Sequence, residues 1–514
     1  MNKGVNKGVN RGVKKAPILG LSLILAAAIA GCADDDEATT TAQDASEDGA
    51  AGMAADDQDK GADEETADKK DKDGSDKDKS DKDEADSQSA EGDEDTEADT
   101  DDEPTEPEIA GACGTDQAAL FAVTANDYET TSVSLLAADG SILCQDFINS
   151  GSAPTGLSTA LSGDVVLPTP GRTPSSVLTL IDRYTTDVIT RVDTVSGEVL
   201  GQVKTKDSSS PEKAAFGANP QDVYYLGDRA WVSRHTPNET VDDDDADRGL
   251  DLIEIDPQAF ERTGERISFW DLNRDAQRSN DEGMTQTVTA YARPASIVPI
   301  GDGEDTVVVG IASLSDMFDA AGPGLVALVD LADGEVSELE LPDLQNCGNV
   351  APVPGDDDRV VVGCLGFYRG VQRDTAGLAV LHYDGDALAI EHTWHAKDHP
   401  DAAMAVANLI SLGGTEVIAV LQAGAEAEQD SAYLVDIESG AQTEVFQATG
   451  RYVVGSGAYN AEMGLLLMPD ASTDGDGVPT AGLRRFERDE DGNFSELDVK
   501  PVHPVLPPRV VRAL

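Results

Sequence analysis

"PPRVVRAL", residues 507–514, ends this chain on what reads as the opening of a β-strand. It aligns with "PQDVYYL" at 220–226 and "PASIVPI" at 294–300, each a proline followed by a short apolar stretch. Those two segments open units of four predicted strands, named A to D in chain order. The first unit, residues 118–148, has only three strands, which match B, C and D. The C-terminal segment is therefore predicted to supply the missing A strand and to join the two ends of the chain.

Six complete four-strand units follow the incomplete one, with turns rich in Gly, Asp and Asn between short apolar strands. The clearest unit has strands predicted at 222–226, 230–234, 250–256 and 265–269. Antiparallel four-stranded repeats with end-to-end closure are typical of a propeller, whose sheet edges stay short and protected. The sequence therefore predicts an all-β fold, a seven-bladed β-propeller closed by the C-terminal strand. Six or eight blades are the alternatives if the irregular copies at 157–205 and 452–499 are misread.

The overall charge narrows the choice of partner. The chain has 514 residues, with 99 Asp and Glu against 37 Lys and Arg, so its formal net charge is -62 at pH 7. Proteins bind nucleic acid through cationic patches, because the phosphate backbone dominates the affinity. A nucleic-acid partner is therefore not expected.

Residues 1–31 are predicted to be a signal peptide, since basic residues precede the apolar run 18–29, and small residues and a cysteine follow it. The run is too short for a permanent membrane helix, which needs about 20 apolar residues. The junction "IAGC" at 29–32 resembles the lipobox of bacterial lipoproteins. This resemblance implies cleavage before Cys32 and acylation of Cys32. The alternative is a plain signal peptide with an incidental cysteine.

Acyl chains on Cys32 would anchor the protein to a membrane, at about 0.8 kcal/mol per buried methylene. Ala33 rather than Asp follows the cysteine, which in the enterobacterial sorting pattern favours the outer membrane. The expected location is the bacterial cell envelope, on its periplasmic side or at the surface.

Residues 32–112 carry the lipidated cysteine and an acidic segment of Asp, Glu, Lys, Ala, Ser and Thr with no aromatic residue. Such a composition cannot bury enough apolar surface to offset the entropy of ordering it, so this segment is predicted to be a disordered tether. It would hold the folded part away from the membrane. The alternative is that its carboxylates collect divalent cations or a cationic partner.

Residues 113–514 form the predicted propeller and resemble bacterial propellers of the YVTN and WD40-like type. The segments that carry this resemblance are "LGDRAWVS" at 226–233, "LIEID" at 252–256 and "YLVDIESG" at 433–440. The resemblance implies the fold and not an activity, because one fold hosts many functions.

Loop lengths differ between the two rims of the predicted disc. The A–B and C–D turns are mostly tight, whereas the B–C loops at 235–249, 313–324, 367–377 and 470–482 are long, as is the D–A loop 271–292. Long loops on a rigid scaffold are where binding residues tend to lie. The B–C/D–A face is therefore predicted to recognise a protein or a glycan, and the alternative is a display domain whose loops have merely drifted in length.

Four cysteines besides Cys32 in an exported protein favour disulfides. Cys347 opens strand A of the fifth blade and Cys364 closes its strand B, and this hairpin turns at residues 355 and 356. The two cysteines are therefore predicted to lie opposite each other and to pair. Cys113 and Cys144 then pair by elimination. The alternative is four reduced thiols.

Two acidic loops are candidate calcium sites, because Ca²⁺ prefers closely spaced carboxylates, and no other cofactor is predicted. "DASTDGDG" at 470–477 resembles the first half of a DxDxDG calcium loop, although Ala481 stands where its closing glutamate would be. The alternative is a solvated acidic turn. The candidate ligands are Asp242, Asp243, Asp244, Asp245, Asp470, Ser472, Asp474 and Asp476.

Three further histidines, His392, His395 and His399, lie within eight residues. Positions three apart on a strand point to opposite faces, so His392 and His395 are not expected to share a metal unless the strand has ended.

Arginines in the long B–C loops are candidate binders of an anionic group, and their alternative role is to balance nearby carboxylates. These residues are Arg234, Arg248, Arg369 and Arg373, with Tyr368 beside them. No nucleophile elbow, phosphate-binding loop, HExxH or CxxC motif is present. The sequence thus predicts a binding lipoprotein without catalytic residues. A scaffold in an outer-membrane assembly complex, or a lactonase-type or quinoprotein-type propeller enzyme, are the alternatives.

Overall fold

In the computed structural model, the described residues are 119–514 except 171–175, 184–185, 208, 210–214, 280–283, 368–371, 399–404, 424–428 and 475–477. The described chain is almost entirely β-strand, and its strands form seven sheets. Three short 3-10 turns, Trp270–Leu272, Gln372–Asp374 and Ala396–Asp398, interrupt the connections. Within these residues no helix has the length and apolarity that crossing a bilayer requires.

Each of the seven sheets is one blade of the propeller, and the strands of blades 1 to 3 are as follows. Blade 1 contains β1 (Phe121–Asn126), β2 (Thr131–Leu136), β3 (Ile142–Asn149) and the last strand of the chain, β29 (Pro508–Ala513). Blade 2 contains β4 (Val165–Val166), β5 (Val177–Asp182), β6 (Val188–Asp193) and β7 (Val199–Lys204). Blade 3 contains β8 (Pro220–Leu226), β9 (Arg229–Arg234), β10 (Asp251–Asp256) and β11 (Glu261–Ser268).

Blades 4 to 7 repeat this order, and blade 4 has an additional strand. Blade 4 contains β12 (Arg274–Ser279), β13 (Thr285–Pro299), β14 (Thr306–Leu314), β15 (Gly324–Asp330) and β16 (Val336–Leu341). Blade 5 contains β17 (Asn349–Val353), β18 (Asp356–Cys364), β19 (Gly377–Tyr383) and β20 (Leu388–His395). Blade 6 contains β21 (Val406–Gly413), β22 (Glu416–Leu421), β23 (Ser431–Asp436) and β24 (Gln442–Gln447). Blade 7 contains β25 (Ala458–Asn460), β26 (Leu465–Pro469), β27 (Leu483–Arg488) and β28 (Phe494–Glu496).

The C-terminal strand closes the ring, as the sequence predicts. β29 pairs antiparallel with β1, with Phe121 opposite Ala513 and Val123 opposite Val511. On its other edge, the Val511 amide donates to the Ser456 carbonyl at 2.7 Å, in the segment that leads into blade 7. We call β29 the clasp strand, because it joins the last blade to the first. The prediction of seven blades closed by the C-terminus is confirmed.

Apolar side chains fill the spaces between adjacent blades. One cluster joins Trp231 and Leu252 of blade 3 to Ile297 and Val309 of blade 4. Sheets covered on both faces contain strands that read as continuous apolar runs, as in β14 and β18. The core is therefore a series of interfaces between blades around the ring.

The segment 271–292 was predicted to be a long D–A loop, and this prediction was wrong. β12 pairs with the first half of β13, from Arg274 opposite Ala290 to Ser279 opposite Thr285. Threonine and valine recur through 285–289, and β-branched side chains favour extended backbone. The segment is therefore a β-hairpin that extends blade 4.

The predicted disulfide between Cys347 and Cys364 is confirmed, and it links two residues 17 apart in sequence. Cys144 lies half-buried in β3. Cys113 lies outside the described residues, so its pairing with Cys144 stays a prediction.

Removing the confirmed disulfide with C347A/C364A is expected to lower the free energy of unfolding by about 3 kcal/mol, because the bridge restricts a loop of this length in the unfolded chain. Urea unfolding of the double variant and the oxidised parent measures the difference. A parent treated with dithiothreitol serves as the matched control and should lose a similar amount. Equal unfolding midpoints for the variant and the oxidised parent would contradict the expectation.

Candidate functional site at the channel mouth

A cavity of about 280 Å³ lies on the axis of the propeller. The A strands of successive blades lie side by side around this axis. Each blade contributes a polar side chain to the lining: Asn126, Arg183, Asp222, Ser296, Asn349, Asn408 and Ser456. The fold thus gathers at one point residues that are far apart in sequence.

The cavity lies toward the rim that carries the B–C and D–A connections. Asn126 ends the B strand β1, while Arg183 and His235 directly follow the B strands β5 and β9, and all three line the cavity. The rim with the longer loops, predicted to be the recognition face, is thus the rim where the cavity opens. We call this opening the channel mouth.

The clasp strand supplies two arginines, Arg509 and Arg512, to the cavity lining. Residues three apart on a regular strand point to opposite faces. However, the pairing of β29 with β1 shifts by one residue between Thr124 and Ala125. Such a bulge re-aims neighbouring side chains, and Arg509, Val510 and Arg512 all line the cavity.

Arg509 is held by few contacts. Its Nη1 donates to the Tyr452 carbonyl at 3.3 Å, and its Nε is buried without a hydrogen-bond partner among the described residues. Its guanidinium lies 4.8 Å from the ring centre of Tyr128, a cation–π arrangement. Tyr128 is 48% exposed, so its side chain still presents an aromatic surface at the channel mouth.

Arg512 contacts neutral acceptors on both neighbouring blades. Its Nε donates to the Pro168 carbonyl at 2.9 Å, and its Nη1 donates to Ser456 Oγ at 2.6 Å. Desolvation lowers the pKa of Arg512 to about 10, against the opposing attraction of Asp222. The side chain is therefore charged at neutral pH. No carboxylate of the described chain forms an ion pair with Arg512 or Arg509.

The other charged side chains of the lining already form ion pairs or hydrogen bonds within the protein. Arg183 forms an ion pair with Asp164 at 2.5 Å and donates to Gln221 Oε1 at 3.1 Å. The buried Asp222 accepts the backbone amides of Thr169 and Ile297, each at 2.8 Å. It thereby ties blades 2, 3 and 4 together, and desolvation raises its pKa.

Two further polar side chains of the cavity lining are His235 and Asn126. Desolvation and the nearby Arg293 lower the pKa of His235 to about 3, so its imidazole is neutral. Asn126 is 5% exposed, and its Oδ1 has no hydrogen-bond partner among the described residues. A buried polar atom without a partner is uncommon and calls for an explanation, such as a ligand or water.

Among the described residues, the arginines of the B–C loops that were predicted to bind an anion do not line the cavity. Arg234 is fully buried and bonded to Asp251 and Asp247. Arg248 contacts Asp243 at 2.8 Å and lies 4.0 Å from the Trp270 ring centre. These contacts agree with the charge-balancing alternative.

Of the other three candidate binding residues, only Arg373 lies within the described part of the chain. Arg373 is half-buried and its Nη2 donates to the Ala396 carbonyl at 3.2 Å. Tyr368 and Arg369 lie outside the described residues.

The two acidic loops do not bring three ligand atoms together in the described part of the chain. Asp242, Asp243 and Asp244 are exposed. Ser472 and Asp470 are buried, and Asp470 accepts the Ser472 amide at 3.0 Å and lies 3.4 Å from Arg484. Two further candidates accept backbone amides of their own loops, Asp245 from Asp247 and Asp474 from Val478. Asp476 lies outside the described residues. Calcium at either loop stays a prediction.

One group of three potential metal ligands does converge in the described chain: Glu391, His392 and Glu438, with donor atoms within 4.8 Å of one another. Arg359 forms ion pairs with both glutamates, at 2.9 and 2.7 Å. This guanidinium supplies the positive charge that a metal ion would bring. His395 ends the same strand and is not in the group, and His399 lies outside the described residues.

Seven four- to five-stranded sheets in a closed ring define the chain as a seven-bladed β-propeller. No family model matches the chain, and no curated protein matches it. Among solved structures, it is similar to a "putative 6-phosphogluconolactonase" from Bacteroides fragilis, with 11% identity and a TM-score of 0.47, over 78% of this chain and 99% of that one. It is also similar to the dihydro-heme d1 dehydrogenase NirN, with 11% identity and a TM-score of 0.42, over 77% and 66% of the two chains. A third similar structure is U3-55K, with 8% identity and a TM-score of 0.39, over 67% and 86%.

The expectation that the chain is not an enzyme was wrong, because the structure gives no ground for excluding an enzyme. The seven-bladed fold is compatible with an enzyme. An enzyme on a propeller needs polar residues that converge on the central channel, and the structure places such residues there. Turnover of a bound ligand therefore has to be measured together with binding.

The residues that line the channel mouth were missed in the sequence. The available signal was the position of Arg509 and Arg512 in an A strand, because A strands lie nearest the axis of a propeller. The bulge that turns both side chains toward the cavity leaves no recognisable mark in the sequence.

Proposed function

We propose that this propeller is a glycan-binding protein, displayed on a membrane through an acidic tether and a lipid at Cys32. The observation that carries the binding role is that the exposed ring of Tyr128 and several amide side chains line the same cavity at the channel mouth. A tyrosine ring offers an apolar surface to the C–H face of a sugar. The amides of Asn349 and Asn408 both donate and accept hydrogen bonds, which suits sugar hydroxyls.

The size of the cavity supports a small polar ligand over a flat protein surface. Ligand pockets are concave and usually have volumes of roughly 300 to 1,000 Å³, and the volume of about 280 Å³ lies just below that range. One or two sugar units at the end of a glycan suit such a site. The export signal, the lipobox-like junction and the acidic segment support the display role, with the outer membrane as the proposed location.

The test is binding of the full chain, purified in detergent, to a panel of immobilised oligosaccharides. Binding that is lost in Tyr128→Ala supports the proposal. Met463→Ala is the matched control, because Met463 is 47% exposed and lies in the A–B turn of blade 7, on the opposite rim. Analysis of the bound sugars for cleavage products measures turnover in the same samples. If no oligosaccharide binds while a protein is captured in a Tyr128-dependent way, the partner is a protein and the glycan proposal fails.

A further inference from the structure

The channel mouth carries positive charge in a strongly acidic protein. Its charged lining consists of three arginines and two aspartates: Arg183, Arg509, Arg512, Asp164 and Asp222. Asp164 is paired with Arg183, and Asp222 is then the one carboxylate of the lining against the two remaining guanidinium groups. The two clasp arginines therefore leave an excess of positive charge, although the chain as a whole has a formal charge of -62.

Guanidinium groups in a partly desolvated wall are costly without a counter-ion. Buried or half-buried charges are normally paired, because desolvation of an isolated charge is expensive. Arg509 and Arg512 instead contact carbonyl and hydroxyl oxygens. Of the two fully buried arginines among the described residues, Arg234 pairs with two aspartates, whereas Arg293 donates only to backbone carbonyls.

Both clasp arginines also keep donors for a ligand. In Arg509 only Nη1 donates to a described residue, so Nη2 makes no hydrogen bond to the described chain. The Nη2 of Arg512 makes no hydrogen bond to any described residue, whereas its Nε and Nη1 are engaged. Arginine donors match the geometry of carboxylate and phosphate oxygens, and such charge-assisted bonds are about twice as strong as neutral ones.

We infer that the ligand held at the channel mouth carries an oxyanion group, a carboxylate or a phosphate, and that Arg509 and Arg512 of the clasp strand bind it. This inference rests on the proposed role of the mouth in binding a glycan, and it narrows that role to an acidic sugar or a phosphorylated one. A neutral sugar would leave both guanidinium groups without an ion-pair partner.

The position of the arginines gives the anion a second effect. Arg512 already joins Pro168 of blade 2 to Ser456 of blade 7 across blade 1. An anion on β29 would offset the desolvation of the Arg512 guanidinium in the closed ring. Since a ligand that binds only the folded state stabilises it, anion binding stabilises ring closure.

The experiment measures the thermal unfolding midpoint and the affinity of the full chain with three probes: sodium glucuronate, inorganic phosphate and neutral glucose. The inference predicts that glucuronate or phosphate raises the midpoint while glucose at the same concentration raises it less. A response to glucuronate alone identifies a carboxylate ligand, and a response to phosphate alone identifies a phosphate ligand. Sodium chloride at matched ionic strength corrects for general salt effects.

Arg509→Gln and Arg512→Gln are each expected to weaken binding of the active anion by about tenfold or more, as for loss of a hydrogen bond to a charged group. Arg509 donates one hydrogen bond to the described chain, so its variant keeps the test valid if Arg512→Gln fails to fold. Arg229→Gln is the matched control, because Arg229 is 41% exposed and opens β9 at the A–B turn on the opposite rim.

Two results would overturn the inference: no midpoint rise with either anion in the parent protein, or the same rise in both arginine variants as in the parent. These outcomes are separable from failure of the glycan proposal. Tyr128-dependent binding of neutral oligosaccharides without any anion effect leaves the glycan role intact and removes the oxyanion. Arginine-dependent phosphate binding without any oligosaccharide binding supports the oxyanion site and removes the glycan role.

Discussion

Val511→Asp is expected to lower the free energy of unfolding by about 4 to 5 kcal/mol, the range of the most damaging single substitutions. Val511 lies in the clasp strand with no exposed surface, packed among Val123 of blade 1 and Leu467 of blade 7. A carboxylate there has no partner, so it either stays charged at a high desolvation cost or takes up a proton. Since domains are stable by only about 5 to 15 kcal/mol, most of the stability would be lost.

The tryptophans report whether this loss spreads around the ring. Trp231, Trp270 and Trp394 lie in or beside blades 3 to 5, away from the joint between blades 1 and 7. If the ring unfolds as one cooperative unit, the fluorescence midpoint in urea falls as far as the circular dichroism midpoint. Ala513→Asp is the matched control, because it adds the same charge to the same strand at an exposed position. A tryptophan transition that Val511→Asp leaves unchanged would show that the clasp acts only locally.

The closure of the ring was predictable because it depends on local pattern. A four-strand unit that lacks its first strand and a spare strand at the opposite end of the chain define a single joint, and β29 pairs with β1 as expected. The disulfide was predictable for the same reason, since Cys347 and Cys364 flank one hairpin. Both features follow from strand order alone.

The residues that line the channel mouth were harder to predict from the sequence, because the lining depends on the directions of individual side chains. The lengths of the loops predicted the rim at which the cavity opens. They also suggested Arg234 as a ligand-binding residue, although its guanidinium is buried and paired with aspartates. That residue ends β9, and the B–C loop after it folds back so that Asp247 contacts its guanidinium. The direction of Arg509 depends on a one-residue shift in pairing. Tertiary packing decides both outcomes.

Arg234→Ala is expected to cost about 3 to 5 kcal/mol of unfolding free energy, the range for breaking a buried ion pair by removing one partner. The Arg234 side chain has no exposed surface, and its Nε and Nη2 each donate to Asp251 at 2.7 Å. Its Nη1 contacts Asp247 at 3.0 Å and the Thr205 carbonyl at 2.9 Å. Although burial disfavours its charge, Asp251 and Asp247 raise the pKa of Arg234.

The cost comes from the groups that the substitution leaves behind. Asp247 keeps an ion pair with Arg262 at 2.7 Å, whereas Asp251 loses both of its bonds to Arg234. Arg234→Ala/Asp251→Ala should therefore cost less than the sum of the two single variants, because the double variant removes the uncompensated carboxylate as well. Urea unfolding of the four proteins gives this coupling energy.

Arg229→Ala provides the comparison within the same strand. Arg229 opens β9, its side chain is 41% exposed, and it pairs with Glu254 at 2.9 Å. A solvent-exposed pair of this kind contributes roughly 0 to 1 kcal/mol. The same arginine-to-alanine change should thus cost several times more at position 234 than at position 229. Equal losses at the two positions would mean that the buried cluster of Arg234, Asp247 and Asp251 does not hold the B–C loop of blade 3 in place.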